Sequence, residues 1–324
     1  MEKIIGIGNA LVDMLVRLPD DSLLMETGLP KGGMTLVDAA GQRRLRACME
    51  GLPLEQATGG SAGNAILTMA RLGDRVGFVG KVGGDALGRF YADNCRRCGI
   101  EAHLLECDGL PTGVANTFIS PDGERTFGTF LGAAATLSAC DIVPQLFDDV
   151  AMAHIEGYLV QNHELMEAIC RTATECGTML SLDLASYNVV SADLDFFRHL
   201  VQDYIDIVFA NEEEAAAFTG RENPLEALRE IASMKCLAVV KLGGKGASVR
   251  LGDEEAVVPS AGMPVVDTTG AGDFFAGGFL HALHQGAPLP DCLRLGCLIA
   301  GHVVGVVGTK LPDDVWKEIR RKTP

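Results

Sequence analysis

Apolar stretches of strand length alternate with stretches of helical periodicity along most of the chain, and this alternation limits the possible folds more than any other feature. The strand-length stretches lie at residues 3–8, 75–82, 152–155, 179–184, 207–210 and 237–241. Helical patterns between them include residues 61–72, 162–175 and 224–233. This arrangement is typical of βαβ units. We therefore predict an α/β fold with a doubly wound, mostly parallel central sheet flanked by helices, with ligands at the carboxyl ends of the strands.

Two regions depart from this alternation. Residues 11–17 with 33–38, and residues 113–130, have the pattern of shorter strands. Within the second region, Ser120-Pro121-Asp122-Gly123 is typical of a hairpin turn. Short strands inserted into an α/β chain predict a small β-sheet, which we expect to act as a lid. Because no linker separates the two kinds of segment, we predict one domain over residues 1–324 with the lid interleaved in it.

Charge and cysteine content narrow the possible partners and location. The net charge of −16 argues against a nucleic-acid partner, because a polyanion requires a basic surface. Residues 1–14 lack the basic region of a signal peptide, and the apolar stretch at 295–308 is too short for a membrane span. Cys95 and Cys98 form a CxxC without a second pair at zinc-site spacing, so we expect core thiols, with a metal or redox role as the alternative. These features predict a cytoplasmic protein without a membrane partner.

Two common nucleotide-binding motifs are missing from the sequence. Gly6-Ile7-Gly8-Asn9-Ala10-Leu11 follows the first predicted strand but lacks the third glycine of GxGxxG, which argues against a nicotinamide-dependent oxidoreductase. The P-loop pattern GxxxxGK[ST] does not occur either. A phosphate site, if present, must therefore be built in another way.

The most informative local pattern is VVDTTGAGDFFAGG at residues 265–278, where a short apolar stretch leads through a small-residue turn into an apolar helix. Gly270, Ala271 and Gly272 place unobstructed N–H groups at the helix N-terminus, where the helix dipole favours an anion. Asp273 in the first turn is suited to accept the proton of an attacking hydroxyl. The alternative is a structural one, in which Asp273 only complements the helix dipole above a tight turn.

The run DTTGAGDFFAGG resembles the carboxyl-terminal signature of the PfkB/ribokinase family of carbohydrate and nucleoside kinases. Gly59-Gly60-Ser61-Ala62-Gly63-Asn64-Ala65, followed by Leu72-Gly73, resembles the amino-terminal signature of the same family. The similarity runs nearly the full length of the chain. It implies a ribokinase-like fold in which Asp273 is the catalytic base and residues 270–272 form an anion hole.

Asn211-Glu212-Glu213-Glu214 follows a predicted strand and resembles the NxxE motif of that family. The resemblance implies that Asn211 and Glu214 help to position Mg²⁺, a hard ion that prefers oxygen ligands, while Glu212 and Glu213 remain solvated. The alternative is an acidic helix N-terminus capped by Asn211.

The resemblance also implies residues that bind the nucleotide and the acceptor. The stretch 239–246 resembles a strand and glycine turn along the nucleotide, and the ATP-binding residues implied here are Lys241, Gly243, Gly246 and Asn188. The acceptor-binding residues implied are Asp13, Gly59, Gly60 and Asn64, to which we add Arg125. A carboxylate such as that of Asp13 suits two vicinal hydroxyls because it only accepts hydrogen bonds. The alternatives are an exposed strand position for Asp13 and a solvated side chain for Arg125.

We therefore predict an ATP- and Mg²⁺-dependent kinase that phosphorylates a hydroxymethyl group. Residues 128–134 and 182–187 are similar to the adenosine-kinase branch, which favours an adenosine-like nucleoside as acceptor. Ribose, fructose or another sugar is the alternative acceptor, and a non-catalytic nucleoside- or sugar-binding sensor is the alternative from another class. The sequence leaves open a monovalent cation such as K⁺ near residues 267–269 and 304–308, and a monomer or a lid-mediated homodimer.

Overall fold

The computed structural model describes residues 2–306 and 308–322, which form strands and helices in alternation. The strands are β1 (Lys3–Ile7), β2 (Leu11–Arg17), β3 (Met34–Leu36), β4 (Leu54–Gly59), β5 (Val76–Gly83), β6 (Ile100–Cys107), β7 (Gly113–Ile119), β8 (Arg125–Phe130), β9 (Val150–Glu156), β10 (Met179–Asp183), β11 (Ile207–Asn211), β12 (Leu237–Lys241), β13 (Ala247–Leu251) and β14 (Glu254–Val258). The α-helices are α1 (Ser22–Thr27), α2 (Ala39–Cys48), α3 (Ser61–Leu72), α4 (Ala86–Arg97), α5 (His163–Glu175), α6 (Tyr187–Ala192), α7 (Leu194–Asp203), α8 (Glu212–Thr219), α9 (Pro224–Ala232), α10 (Ala271–His284), α11 (Leu289–Val304) and α12 (Asp313–Lys322). No helix in these described ranges is long and apolar enough to cross a membrane.

The larger sheet has nine strands in the order β14-β13-β12-β11-β10-β9-β1-β5-β6. Pairing is parallel from β12 to β6, and β13 and β14 add an antiparallel edge. The predicted doubly wound, mostly parallel sheet is therefore confirmed. All six predicted strands belong to this sheet, whereas β6, β13 and β14 were not predicted.

Helices cover both faces of the larger sheet because its central strands are apolar on both sides. Ile4 of β1 packs in one layer with α3, α10 and α11, while Ile5 and Ile7 pack in the other with α5, α7, α8 and α9. All three isoleucines are completely buried. This explains why β1 is a continuous apolar run and does not alternate between apolar and polar residues.

A second, smaller sheet has the strand order β3-β8-β7-β2-β4, and we call it the small sheet. It contains the short strands predicted near residues 11–17, 33–38 and 113–130, and β4 joins them at one edge. Helices α1 and α2 cover its outer face through an apolar cluster of Val16, Leu18, Leu24, Leu45, Met49 and Phe118. Because strand residues alternate between faces, Asp13 and Leu15 of β2 point the other way from Val16, toward the larger sheet.

Candidate active site

Polar side chains collect at the carboxyl ends of the parallel strands of the larger sheet. Glu156 ends β9, Asp183 ends β10, Asn211 ends β11 and Lys241 ends β12. These strands are neighbours and parallel, so their last residues lie along one edge of the sheet. This edge is where an open α/β sheet binds its ligands.

The turn at Gly270 delivers the start of α10 to the same edge. Gly270 is the N-cap of α10 with φ 71°, a left-handed conformation that favours glycine, and a Cβ there would lie 2.8 Å from Thr309 Cγ2. The N–H group of Ala271 donates to Thr268 O at 3.2 Å across the turn, so one of the N–H groups predicted for the anion hole is already engaged. Gly272 keeps the helix N-terminus open, because a Cβ there would lie 3.1 Å from Lys241 Nζ.

Asp273, in the first turn of α10, is held by two donors from α3. Ser61 Oγ donates to Asp273 Oδ1 at 2.8 Å, and Asn64 Nδ2 donates to Asp273 Oδ2 at 2.9 Å. Burial raises the pKa of Asp273 to about 6, against the lowering effect of the Asn64 hydrogen bond. The two sequence signatures, which are about two hundred residues apart, therefore meet at this carboxylate. Ser61 was not predicted as a site residue, and Asn64, which was predicted to bind the acceptor, contacts the Asp273 carboxylate.

Lys241 is the cation closest to the Gly272 turn. Its Nζ lies 2.8 Å from Asp183 Oδ2, and both side chains are largely buried. Burial works against the charge of Lys241, but Asp183 and Glu214 outweigh it and raise the pKa. Burial likewise opposes ionisation of Asp183, but Lys241 holds its pKa below the usual range. Asp183 was not among the predicted site residues.

Asn211 and Glu214 form a capping box at the start of α8. Asn211 Oδ1 accepts from the Glu214 N–H at 2.8 Å, and Glu214 Oε2 accepts from the Asn211 N–H at 2.8 Å. Burial raises the pKa of Glu214 to about 7. Glu213 is exposed, as predicted, whereas Glu212 is partly buried and pairs with the exposed Lys245. The capping geometry that the sequence offered as an alternative is thus present, and Glu214 also faces the cavity described next.

A cavity of about 540 Å³ runs from these strand ends to the space between α10 and α11. Its polar end is lined by Asp183, Asn211, Glu214, Lys241 and Gly272, and its apolar end by Met263, Phe275, Cys297 and Val304. Gly243 and Gly246 form one wall, whereas Asn188 lies exposed in α6 and is not among the lining residues. A nucleotide would fit a cavity of this size that combines apolar side chains with a cation beside the Gly272 turn.

Asp13 of the small sheet interacts electrostatically with the Asp273 carboxylate. A Cβ at Gly59 would overlap Asp13 Oδ1, and Gly60 has φ 90°, so both glycines are required where β4 leads into α3. Burial raises the pKa of Asp13 to about 7, Arg125 lowers it and Asp273 raises it further. Asp13 is partly buried, which removes the alternative of an exposed strand position.

Arg125 and Glu156 differ most from the sequence predictions. Arg125 is buried and forms an ion pair with Asp267, so the alternative of a solvated side chain was wrong. Glu156, which was not predicted at all, accepts from Asn9 Nδ2 and from the Ala62 N–H, and burial raises its pKa to about 7. Its position at the end of a central strand was the only signal in the sequence that pointed to it.

Cys95 and Cys98 are free thiols at the end of α4, Cys95 being buried. Within residues 2–306 and 308–322, no three His, Cys, Asp or Glu side chains are grouped to hold a metal ion by themselves. Burial raises the pKa of Cys95 to about 12, as expected for a thiol in an apolar environment.

Residues 37–316 match the family model described as pfkB family carbohydrate kinase. The chain is 28% identical to ribokinase from Arabidopsis thaliana over 96% of this chain and 78% of that protein. It is 30% identical to fructokinase-1 from Oryza sativa subsp. japonica over 71% of this chain and 75% of that protein.

Solved structures that are similar to this chain are also kinases. The adenosine kinase from Sinorhizobium meliloti is similar with a TM-score of 0.91 and 34% identity, covering 99% of both chains. A probable sugar kinase from Rhizobium etli CFN 42 is similar with a TM-score of 0.91 and 33% identity, covering 99% of this chain and 98% of that one. The chain therefore belongs to the pfkB family of carbohydrate kinases and is a phosphotransferase that acts on an alcohol group of a sugar or nucleoside.

Proposed function

We propose that the protein transfers the γ-phosphoryl group of ATP to a hydroxymethyl group of an adenosine-like nucleoside. The observation that carries this proposal is the position of Asp273 beside the 540 Å³ cavity, which its neighbours Ala271 and Gly272 line. Asp273 also interacts electrostatically with Asp13 of the small sheet. The similarity to the adenosine kinase from S. meliloti over nearly the whole of both chains supports the choice of acceptor.

The proposed chemistry follows from the protonation states and contacts of the site. With a pKa of about 6, Asp273 is mostly ionised at neutral pH yet basic enough to accept a hydroxyl proton during transfer. Ser61 and Asn64 fix the orientation of the carboxylate. We propose that Asp13 accepts hydrogen bonds from the acceptor hydroxyls, with Gly59 and Gly60 allowing the close approach.

The phosphates would lie at the polar end of the cavity. We propose that N–H groups at the start of α10 and the ammonium group of Lys241 stabilise the charge that the transferring group gains. Gly243 and Gly246 would lie along the nucleotide, and Asn188 remains a prediction, since its exposed position in α6 gives it no contact with the cavity.

The residues present fit a magnesium ion. Asn211, Glu214 and Asp183 supply oxygen donors at one end of the cavity, and oxygen is the ligand type that Mg²⁺ prefers. Burial raises the pKa of Glu214 to about 7, against the lowering effect of Lys241. When bound with ATP, Mg²⁺ neutralises charge on the phosphates, and we propose that Asn211 and Glu214 hold it, in part through water.

The small sheet would act as a lid within a monomer. Its outer face is already buried by α1 and α2, so a second copy of the chain would find no open sheet face there. We propose that the protein is cytoplasmic, in keeping with ten free cysteines. Higher activity in potassium buffer than in sodium buffer would show that the protein needs K⁺.

A sugar is the second candidate acceptor, favoured by the similarity to ribokinase and fructokinase-1. ADP formation on a panel of adenosine, other nucleosides, ribose and fructose distinguishes the two candidates, with Asp273→Asn as the inactive control. We expect adenosine to give the highest kcat/KM. A higher value for ribose or fructose would replace the nucleoside proposal, and no stimulation by any acceptor would refute both.

A further inference from the structure

A buried ion pair connects the small sheet to the turn that precedes α10. Arg125 begins β8, and its guanidinium group contacts the Asp267 carboxylate. The side chains are only 6% and 2% exposed. Charges this deeply buried persist only when they are paired, so the pair fixes how the small sheet sits against the turn.

Asp267 also organises the turn itself. Its Oδ1 accepts from the Thr269 N–H at 3.0 Å, and its Oδ2 accepts from the Gly308 N–H at 2.7 Å. Gly270 follows directly and starts α10, and Thr309 packs against it. The Asp267 carboxylate therefore connects the small sheet, the turn that precedes α10 and the segment after α11.

We infer that Arg125 is a positioning residue that completes the phosphate-binding turn only when the small sheet is closed. This inference rests on the proposed function and differs from the substrate contact expected for Arg125 from the sequence. When the small sheet lifts, the guanidinium group leaves with it. Asp267 is then an uncompensated carboxylate, and the turn that it holds becomes looser. The turn is therefore complete only while the small sheet is closed, and a closed sheet excludes water from the site.

A cavity of about 220 Å³ next to the pair makes this inference testable by chemical rescue. Arg17, Ser120 and Arg125 line it together with Asp267. Within the described residues, Nε and Nη1 of Arg125 have no hydrogen-bond partner there, while Nη2 contacts Asp267. A small planar cation from solution can therefore reach the place of a missing arginine head group.

The test compares Arg125→Met, which removes the charge, with Arg125→Lys, which keeps it. Arg17→Met is the matched control, because Arg17 is exposed and lines the same cavity without contacting Asp267. Since loosening a positioning element can cost about 100-fold in rate, we expect Arg125→Met to lower kcat by roughly that factor. The acceptor KM should stay within about twofold, because uniform binding is not affected. The kcat of Arg125→Lys should lie between those of Arg125→Met and the wild type, and the kcat of Arg17→Met should equal that of the wild type.

Guanidinium chloride at low millimolar concentration should restore kcat of Arg125→Met and leave Arg17→Met unchanged. If Arg125→Met instead raises the acceptor KM with kcat intact, Arg125 binds the acceptor and the inference is wrong. Should the single variant not fold, Arg125→Met/Asp267→Asn removes both charges with little change of shape, and it should fold yet keep the low kcat. Wild-type kcat in that double variant would also overturn the inference.

Amide hydrogen exchange tests the same inference without any turnover. In the ligand-free protein, the Thr269 and Gly308 amides should exchange faster in Arg125→Met than in the wild type and in Arg17→Met. Equal exchange in all three proteins would refute the link between Arg125 and the turn. If the wild type forms no ADP with any acceptor, the proposed function is wrong. Amide exchange would still test whether Arg125 stabilises the turn that precedes α10.

Discussion

Replacing Asp273 with asparagine is expected to make the ligand-free protein more stable at alkaline pH while removing its activity. The substitution keeps the shape of the side chain and exchanges one oxygen for an NH₂ group. Ser61 can donate or accept, and Asn64 can present its Oδ1, a buried atom without a partner among the described residues. The local hydrogen bonds therefore survive, and the main change is the loss of a buried charge.

The size of this effect follows from the pKa of Asp273. Burial raises it from 3.8 to about 6, and such a rise corresponds to about 3 kcal/mol between the two protonation states. The folded protein binds this proton more tightly than the unfolded chain does. The wild type therefore loses stability as pH rises from about 4 to above 6, whereas asparagine has no such dependence. The free energy of unfolding of the variant should exceed that of the wild type only slightly near pH 4, and by about 3 kcal/mol at pH 8.

Urea unfolding of both proteins without ligands, at several pH values from 4 to 8, measures this advantage. Asp253→Asn, at an exposed residue between β13 and β14, is the control, and its effect should not grow with pH. An advantage of Asp273→Asn that is equal at pH 4 and pH 8 would show that the buried charge is not its source.

Turnover completes the comparison. Loss of a general base lowers kcat by about 10²- to 10⁴-fold, and we expect a decrease in that range with the ATP KM nearly unchanged. Unchanged turnover would remove Asp273 as the base, whatever the stability data show.

Three further predictions concern the same site. Asp13→Asn should raise the acceptor KM at least tenfold and spare the ATP KM, as steady-state kinetics would show; equal changes in both would point to misfolding. The acceptor kcat/KM should fall as pH decreases through about 7 and 6, because Asp13 and Asp273 take up protons there, and a flat profile between pH 5 and 8 would contradict both assignments. Lys241→Met should lower kcat by about 10- to 100-fold through lost charge stabilisation and leave the acceptor KM nearly unchanged, whereas an unaffected kcat would place Lys241 outside the phosphate site.

The sequence predicted the buried part of the fold well because buried parallel strands are continuous apolar runs. β4 (LEQATG) and β14 (EEAVV) were missed for the opposite reason, since edge strands exposed to solvent carry polar residues and show no clear period. In the larger sheet, β6 is the edge strand opposite β14, and β13 is the neighbour of β14.

In the site, the glycine turn before Asp273 is a local pattern that the sequence shows directly, and the role of Asp273 as base was predicted from the family resemblance. The contact between Ser61 and Asp273 joins residues 212 positions apart, and that between Asn64 and Asp273 joins residues 209 positions apart. No periodicity reports such contacts. Arg125 and Asp267 illustrate the same limit, because each has ordinary neighbours in sequence and only the packing of the small sheet against the turn before α10 brings them together.

The strand order also bears on how the chain folds as it is synthesised. β1 is the first strand made, yet it lies between β5 and β9, and β9 begins only at Val150. Until then one edge of an apolar central strand has no partner, and the small sheet is already complete. A nascent chain of about 150 residues would thus expose an unpaired strand edge that is prone to aggregation. The remaining strands would then join the sheet in the order β9 to β14.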